Sequence, residues 1–478
     1  MKFNKQVPTT KTVNLAGGKA YKESSKLELV SILLTSFVKS QYYKDEKETT
    51  KGVQDLVKKI TDKKFIAQAA LYARNEFGMR SISHMVAGEI AAHVRGADWT
   101  RRFFDKIVRR PDDMLEILSY YFSSYRHYIP NAVKKGFCNA LRRFDSYQLA
   151  KYRGEGKAFK MIDLVNLIRP KPTDKNREAL EGLVKGTLRS TGTWETKLTQ
   201  AGQLAENEEQ KGEMKAAAWR ELLLEKKLGY FALLRNLRNI LEQAPDMVYE
   251  ACLQLVDEDS IKKSLVLPFR YMTAIEEIEK VAKIAGSRAV IIALNQALEI
   301  SISNVPTFEG RTLIALDVSG SMQGKPAAIG ALFAAVLAKS NNSADLLTFD
   351  TSARYVAINP LDTVATIQRS IPFTGGGTDF HSIFKEIGAK PYDRIILLSD
   401  MQAWVGYDTP KISFSNYKKA SGVKTKVYSF DLQGYGTLQF PEDDVFALAG
   451  FSEKVFSIMD LLEKDKNALL HEIEKIEL

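Results

Sequence analysis

The spacing of apolar residues divides the chain into two parts. From residue 26 to about residue 303, apolar positions recur every three to four residues, which predicts successive amphipathic helices. The first lies in "SSKLELVSILLTSFV", and similar stretches follow at 64–77, 101–109, 113–122, 131–143, 158–168, 214–229, 230–242, 260–284 and 287–303. The polar segment 171–212 predicts one more helix flanked by loops. Helices of about three turns joined by short loops predict an all-α domain of stacked helix pairs, as in an α-solenoid.

A different pattern begins near Pro306. Strand-like apolar runs now alternate with helical stretches at 325–339, 361–370, 380–388, 411–420 and 456–474. The runs are "TLIALDV", "ADLLTFD", "ARYVAI", "RIILLSD" and "TKVYSFDL". This alternation predicts an α/β doubly wound domain with a mostly parallel sheet, helices on both faces and one antiparallel hairpin at an edge. The predicted domains are therefore 1–305 and 306–478.

Composition is that of a globular protein, and its charge is unevenly distributed. The 478 residues are 45% apolar and 26% charged, with a net charge of +10. This length predicts two or three domains. From residue 306 onward there are 17 basic and 21 acidic residues, whereas the preceding part carries 51 basic and 37 acidic residues. The basic part is therefore expected to bind a polyanion, although a helical protein with a lysine-rich surface would show the same balance.

No segment predicts a membrane span or a secretory signal. Charges interrupt every apolar run before the roughly 20 residues that cross a bilayer. The first residues, "MKFNKQVPTTKTVN", lack the apolar core of a signal peptide. Cys138 and Cys252 lie in apolar helical contexts without CxxC spacing, so we expect buried free thiols. A reducing, cytoplasmic location is the resulting expectation.

Oxygen-bearing side chains follow two predicted strands of the α/β part. In "ALDVSGSM", Asp317, Ser319 and Ser321 are spaced by two, so in an extended segment they project to the same side. Thr378 lies in the glycine-rich "TGGGTD", and Asp400 ends "RIILLSD". Ligands of doubly wound sheets bind beyond the carboxyl ends of the strands. Five oxygen donors without His or Cys predict a hard-cation site for Mg²⁺, with Mn²⁺ or Ca²⁺ as alternatives. With only two carboxylates, the set leaves one position for water or an acidic group from a partner.

Enzymatic interpretations of the same residues fit less well. A phosphatase of the haloacid type uses D-x-D after its strand, but Ser319 occupies the position of the second acid. "GSMQG" lacks the spacing of a nucleophile elbow, and no Walker A loop is present. His381 is more typical of a structural histidine at a helix start. We therefore predict no catalytic activity, with a phosphohydrolase centred on Asp317 as the weaker alternative.

Basic residues cluster in the helical part and are candidates for RNA contacts. The cluster has two close pairs eight residues apart and a following group, with Tyr147 and Tyr152 interleaved as candidate stacking partners; its members are Lys134, Lys135, Arg142, Arg143, Lys151, Arg153 and Lys157. Arg235 and Arg238 form another pair one helical turn apart. Such charges serve phosphate contact, which supplies affinity and no sequence readout. For any one of them, a solvated surface charge is the alternative.

The metal motif resembles the metal-ion-dependent adhesion site of von Willebrand factor A domains, which generally bind partners through the metal and are not enzymes. Phrases in the helical part resemble the TROVE module of the Ro autoantigen family: "NLAGGKAY", "YARNEFGMRSISH", "YIPNAVKKGF", "LRRF", "LAKYRGEGK", "IRPKP", "LGYFALLRNLRNI" and "LPFRYMTAI". The resemblance covers nearly the entire chain. It implies a ring of HEAT-like helical repeats that binds RNA, closed with the help of the A domain. Single-stranded 3′ ends of misfolded noncoding RNA would enter the central hole, and Y RNA would bind the outer surface.

The resemblance also implies particular residues and partners. His84 matches a family position, although packing or capping is its alternative role, and Arg74 and Arg80 could join a basic surface beside it. In "IRPKP", Arg169 takes the place of a family histidine that helps bind Y RNA, which leaves phosphate contact but puts that particular contact in doubt.

The implied protein is a monomer within a ribonucleoprotein, acting in RNA quality control or as a scaffold that tethers a nuclease. Bacterial relatives make the exoribonuclease polynucleotide phosphorylase a candidate partner. The alternative of another class is a metal-dependent protein-interaction scaffold without RNA, whose basic part contacts acidic proteins.

Overall fold

A computed structural model gives the architecture of most of the chain. It describes residues 11–22, 24–35, 46–125, 128–154, 156–157, 159–188, 198, 202, 207–264, 266, 268–301, 308–341, 343–359, 361–403, 405, 410–435, 437–439, 444–449, 459 and 467–478. Within these residues the helices before the large sheet are α1 Ser25–Thr35, α2 Glu46–Lys59, α3 Lys63–Glu76, α4 Ser81–His93, α5 Thr100–Lys106, α6 Pro111–Tyr125, α7 Asn131–Leu141, α8 Ser146–Lys151, α9 Met161–Ile168, α10 Arg177–Lys185, α11 Glu208–Leu224, α12 Tyr230–Gln243, α13 Val248–Leu255, α14 Glu258–Ser264, α15 Phe269–Glu279 and α16 Ser287–Ser301.

The remaining elements form the α/β part. Its helices are α17 Lys325–Ser340, α18 Val364–Ser370, α19 His381–Ile387, α20 Lys411–Ser421 and α21 Ala468–Glu474. The strands are β1 Lys11–Val13, β2 Lys19–Lys22, β3 Thr312–Asp317, β4 Ala344–Phe349, β5 Ala353–Val356, β6 Arg394–Ser399, β7 Lys426–Asp431, β8 Thr437–Leu438 and β9 Val445–Ala449. The predicted fold class is confirmed: a helical part is followed by a domain whose sheet is mostly parallel.

Packing groups the chain into two compact units that are not continuous in sequence. The helical unit contains 60–266, 273–297 and 476–478, and the sheet unit contains 1–59, 267–272 and 298–475. The division of the chain at residue 305 stays a prediction. Packing joins the first 59 residues to the sheet unit, a grouping that the linear pattern of apolar residues does not indicate.

The helical unit forms because its helices have defined starts and close contacts. Asp62 caps α3 by accepting the Phe65 N–H at 3.0 Å, and Asn207 caps α11 in the same way. Helices that are adjacent or one apart in the chain then pack on one another, α3 on α4, α4 on α6 and α5 on α7. The α5–α7 contact is tight because Gly136 has no side chain. A Cβ at Gly136 would lie 2.5 Å from the Phe104 Cβ and 2.8 Å from the Arg101 carbonyl oxygen.

The large sheet has the strand order β5-β4-β3-β6-β7-β9. All neighbours are parallel except β4 and β5, which form the predicted antiparallel hairpin at one edge. Strands β3 and β6 are buried along their whole length, as expected for parallel strands covered on both faces. Leu313 and Ala315 share a core with α19 and α20, whereas Leu316 faces Gly330 of α17. Consequently the carboxyl ends of β3, β6 and β7 share one edge of the sheet.

Several sequence predictions need correction or extension. The single helix predicted at 260–284 is two helices, α14 and α15, because Pro268 cannot continue the first. Strand β9 and the small antiparallel sheet β1-β2-β8 were not predicted. The predicted helix at 456–474 is described only from residue 467 and at residue 459, and much of the predicted helix and loop segment 171–212 lies outside the described residues.

Free cysteines and the lack of a predicted membrane span were the grounds for expecting a reducing, cytoplasmic location. Cys138 and Cys252 are free thiols, each partly buried and not fully buried as expected. Burial raises the pKa of the Cys252 thiol to about 11, so it is protonated at neutral pH. Among the described helices, none combines the length and apolar character needed to cross a bilayer.

We expect Gly136→Ala to destabilise the protein by about 1–3 kcal/mol, because the added methyl group overpacks the α5–α7 contact against backbone. The measurement is the urea midpoint followed by circular dichroism.

Gly212→Ala is the matched control, since this exposed glycine of α11 has no neighbour within 4 Å of an added Cβ. At residue 212 the change to alanine should raise the free energy of unfolding by about 0.5–1 kcal/mol, because it lowers the entropy of the unfolded chain. Equal effects at the two positions would contradict the packing described for Gly136.

Candidate functional site

The candidate metal site lies at the carboxyl edge of the large sheet. Asp317 is the last residue of β3, and Asp400 follows β6 directly. Because β3 and β6 are parallel and Leu316 is in register with Leu398, Asp317 lies beside Ser399. The Ser399 hydroxyl donates a hydrogen bond of 2.5 Å to Asp317 Oδ2. The pairing of two buried strands therefore fixes both carboxylates at one place.

The two serines of the motif lie in the turn that follows β3. The Ser319 backbone N–H donates to Asp317 Oδ1 at 2.9 Å, and the Ser319 and Ser321 hydroxyl oxygens are 3.3 Å apart. The Ser321 hydroxyl also hydrogen-bonds to Asp400. The spacing by two thus brings Asp317, Ser319 and Ser321 together, with Asp400 alongside.

Thr378 is held near this turn by its glycine-rich loop. Gly320 N–H donates to the Gly376 carbonyl at 2.9 Å, and Gly375 N–H donates to the Val318 carbonyl at 2.8 Å. Glycine is needed at residue 376, because a Cβ there would lie 2.8 Å from Asp350 Oδ2. The loop therefore lies directly against the Asp317–Ser321 turn.

Burial makes this group of oxygens electrostatically unfavourable without a cation. The side chains of all five predicted ligands are at most 4% exposed. Burial raises the pKa of Asp317 to about 6 despite hydrogen bonds from Ser319 and Ser399. Burial and the nearby charge of Asp317 raise the pKa of Asp400. No basic side chain of the described residues pairs with either carboxylate, which fits a bound cation.

The chemistry of the donor set fits a hard cation such as Mg²⁺. Two carboxylates and three hydroxyls supply only oxygen, which Mg²⁺ and Ca²⁺ prefer. Across the described ranges, no three His, Cys, Asp or Glu side chains are grouped as a metal site, so a cation here would depend on hydroxyl oxygens as well as on Asp317 and Asp400.

Two residues that support the site were missed. The Gln433 amide donates to the Ser321 carbonyl at 3.0 Å and lies 3.4 Å from Asp400 Oδ2. Asp431, the last residue of β7, also contributes to the raised pKa of Asp400. Asp431 could have been found from its position, since it is the last but one residue of the predicted strand "TKVYSFDL" at the same edge. Gln433 carries no such signal, because its role depends on the course of the loop after β7.

Arg74 and His84 do not lie on a basic surface, and that prediction is wrong. Arg74 is 7% exposed and His84 is 4% exposed. Both face the fully buried Asp113, with Arg74 Nη2 at 3.0 Å and His84 Nε2 at 3.1 Å from its carboxylate oxygens. Arg80 joins the same carboxylate at 2.9 Å and also pairs with Asp112 at 2.7 Å. These residues connect α3 and α4 to the first turn of α6.

Asp113 is the anchor of this cluster. Burial alone would raise its pKa, but contacts with His84, Arg74 and Arg80 hold the pKa well below the usual range of a carboxyl group. Burial and the neighbouring arginines lower the pKa of His84, so its imidazole is neutral at physiological pH. The family-matched histidine therefore has a packing role in this structure.

The outer side of α7 carries basic residues that are not neutralised. Lys134 is half-buried and Lys135 is exposed, and Arg142, one residue beyond the helix, lies on nearly the same face as Lys135. Arg169 is exposed at the left-handed end of α9, with φ 49°. None of these four side chains has an acidic partner among the residues described by the structure. They are the best placed of the predicted RNA-binding residues for phosphate contact.

Other predicted RNA-binding residues have partners within the protein. Arg143 pairs with Asp105, and Lys157 pairs with Glu116. Further contacts of this kind join Arg238 Nε to Glu242 at 2.9 Å, Arg153 Nη1 to the Leu188 carbonyl at 2.5 Å, Arg235 to the Phe231 ring at 5.8 Å, and Lys151 to the Tyr152 ring at 5.6 Å. The exposed ion pairs of Lys157 and Arg238 are weak, so these two residues can still meet a phosphate at small cost, whereas Arg143 is also held by the Asp105 and Val108 carbonyls.

Of the two predicted stacking partners, one is accessible. Tyr147 is 47% exposed, whereas the Arg110 guanidinium covers the Tyr152 ring at 4.5 Å. A third aromatic residue was missed: Tyr128, three residues before α7, is 84% exposed. Its backbone is fixed by a hydrogen bond of 3.1 Å from the Tyr121 hydroxyl to the Tyr128 carbonyl. The sequence holds a signal for it, "HYIPNAVKKGF", where a tyrosine stands just before the basic helix.

Comparison with protein families matches both parts of the chain. A TROVE domain model matches residues 19–200 and 185–318, and a Ro60 vWA domain model matches residues 311–462. Among individual proteins, telomerase protein component 1 of Mus musculus is 24% identical over 365 residues, 58% of this chain and 14% of that protein. RNA-binding protein RO60 of Deinococcus radiodurans is 27% identical over 150 residues, 29% of this chain and 28% of the relative. The matched stretches therefore span less than a third of either relative.

The fold is also that of a known crystal structure. The Deinococcus radiodurans RO (RSR) protein superposes with a TM-score of 0.61 at 19% identity, covering 91% of this chain and 99% of that one. At this identity the similarity establishes the fold.

We expect Asp113→Asn to lower the free energy of unfolding by about 3–5 kcal/mol, because it leaves Arg74 buried without its counter-charge. A group whose pKa is depressed in the folded state stabilises above its unfolded pKa and loses that effect as the pH falls. The difference between wild type and variant, measured by urea unfolding, should therefore be full at pH 7 and narrow below about pH 4.

Asp174→Asn serves as the control, since its 4.0 Å pair with Arg177 is exposed and should give no measurable change. An Asp113→Asn protein as stable as wild type at pH 7 would show that the cluster is not an anchor.

Proposed function

This chain belongs to the Ro protein family, and we propose that it binds RNA through its helical unit. The observation that carries the proposal is a basic side of α7 and the adjacent turn within the TROVE match: Lys135 and Arg142 are exposed, Lys134 is half-buried, and none of the three has an acidic partner among the described residues. A polyanion is the partner that such a surface attracts most strongly. The relative named RNA-binding protein RO60 supports the same assignment.

The finer role proposed is binding of small noncoding RNA of the Y type and of misfolded RNA ends. The protein would act without catalysis, in RNA quality control or as a scaffold for an exoribonuclease such as polynucleotide phosphorylase. Tyr128 and Tyr147 support binding of unpaired bases, because exposed aromatic rings beside basic side chains are stacking platforms. The exposed Arg169 is suited to phosphate contact, where a charged guanidinium replaces the histidine of the family.

We expect the double substitution Lys134→Ala/Lys135→Ala to weaken RNA binding and flatten its salt dependence. Each lost phosphate contact should lower the slope of log affinity against log salt by about 0.7–1. The measurement is fluorescence anisotropy of a labelled single-stranded RNA over a series of salt concentrations.

Lys262→Ala/Lys263→Ala on α14 is the matched control, because both of these lysines already pair with acidic residues one turn away. An unchanged slope for the α7 variant would exclude this surface as the phosphate contact. If neither the wild type nor the control variant binds RNA, the proposed RNA-binding function is refuted.

We propose as a second function that the carboxyl edge of the sheet binds a divalent cation. The supporting observation is that two buried carboxylates, Asp317 and Asp400, have no basic partner among the described residues. Asp317, Ser319, Ser321, Thr378 and Asp400 would hold the ion, with Ser399 and Gln433 positioning the carboxylates. A bound Mg²⁺ would neutralise the buried charge and offer a free coordination position to an acidic group of a partner.

Mg²⁺ should raise the melting temperature of the wild type, because binding to the native state alone stabilises it by mass action. Asp400→Asn should abolish the gain. In chelator its melting temperature should equal or exceed that of the wild type, because one of two repelling buried charges is removed. Differential scanning fluorimetry with and without chelator gives the measurement.

Asp345→Asn is the control, since Asp345 lies at the opposite end of the strands, paired with Lys390 at 3.0 Å. The melting temperature of this variant in chelator should be lower than that of the wild type, but Mg²⁺ should raise it by the same amount as in the wild type. The same gain in Asp400→Asn would place the ion elsewhere.

A further inference from the structure

A cavity of about 680 Å³ lies in the sheet unit between α19 and α20 and is bordered by the turn at 351–353 that joins β4 to β5. Its volume is in the range of ligand sites. Neither the RNA surface nor the proposed cation site accounts for it. Below, this cavity is called the α19–α20 groove.

The groove opens at the same edge of the sheet as the candidate metal ligands. Asp379 lines it and directly follows Thr378. The Asp379 N–H donates to the Asp350 carbonyl at 2.8 Å, and Asp350 directly follows β4. A ligand that enters at Asp379 is therefore one residue from a candidate metal ligand.

The groove has a polar wall and an apolar floor. His381 Nδ1 and the Ser413 Oγ are 2.8 Å apart, so they connect the first turns of α19 and α20 across the groove. Asn416 adds an exposed amide one turn further along α20. Phe384 and Tyr417, which are 6% and 3% exposed, form the floor. Such a surface suits a peptide, whose main-chain amides can pair with the wall while an apolar side chain rests on the floor.

Length and charge restrict the occupant further. The seven residues of α19 span about 10 Å, which matches about three residues of extended chain. Asp379, Glu386 and Lys385 also line the groove, which gives its lining two acidic residues and one basic residue, and the chain from residue 306 onward carries more acidic than basic residues. An RNA backbone would repeat a negative charge along these carboxylates, whereas a peptide with one acidic residue would not.

We infer that the α19–α20 groove docks an extended peptide segment of a partner protein, in which one acidic residue reaches the cation and the following uncharged or apolar residues lie between the two helices. This inference rests on the proposed cation site. It adds the surface that selects the partner, because a cation alone accepts any accessible carboxylate.

The test is selection of phage-displayed random linear peptides on the full-length protein in Mg²⁺, followed by anisotropy titration of the enriched peptides. We expect enriched peptides to contain one Asp or Glu followed by an apolar residue. Chelation of Mg²⁺ should weaken the affinity of these peptides about tenfold or more. Ala420→Trp should weaken it as much, because the new side chain fills the groove from an exposed position of α20. Asn416→Ala should cause a smaller loss and serves if the bulkier variant misfolds.

Ala289→Trp, at an exposed position of α16 in the helical unit, is the matched control and should bind like wild type. Failure to enrich any peptide, or enriched peptides that bind equally in chelator, would overturn the inference. If the peptides need Mg²⁺ but bind the Ala420→Trp and Asn416→Ala variants as well as the wild type, the groove is not the binding surface, although the cation site still stands. If Mg²⁺ does not change the melting temperature of the wild type, the cation site itself is refuted.

Discussion

The parallel pairing of β3 with β6 is the constraint on which the sheet unit depends. Both strands are buried along their whole length, so their ends are held apart from water by helices on either face. Register places Asp317 next to Ser399, and the chain after each strand can only turn away at the same edge. The two carboxylates are therefore brought together by the packing of apolar residues that have no chemistry of their own. The polar loops adjust to that position with backbone hydrogen bonds.

The elements that the sequence predicted best are those whose apolar pattern is long and regular. β3, β4, β6 and β7 lie within the predicted runs. Four of the five candidate ligands were predicted because they follow strands at one edge, and Thr378 because it lies in the glycine-rich loop. β1, β2 and β8 have two to four residues, too few for any periodicity to show. β9 has five residues and a single large aromatic residue, Phe446. These short strands are specified by their partners, which a linear pattern does not contain.

The charged residues were harder to interpret than the apolar pattern, because the sequence shows how many basic residues there are but not which acidic residues they contact in the fold. Arg74 and Lys135 have the same formal charge, yet Arg74 faces a buried carboxylate and Lys135 faces solvent. Asp113 comes 39 residues after Arg74, and the packing of both α3 and α6 on α4 brings the two side chains together. Arg74 and Arg80 are consequently neutralised inside the helical unit, and they add less to its basic surface than their formal charges suggest.

The small sheet β1-β2-β8 has a consequence for biosynthesis. Tyr21 pairs with Leu438, so β2 is synthesised 417 residues before the strand that it pairs with on this edge. At about 5–20 residues per second this delay is on the order of 20–80 s, during which the helical segments between them can already fold. β2 can pair with β1 on one edge as soon as both strands are made, but the edge that later pairs with β8 must stay free of aggregation for that time, and the short length and the lysines of the two strands suit them to it.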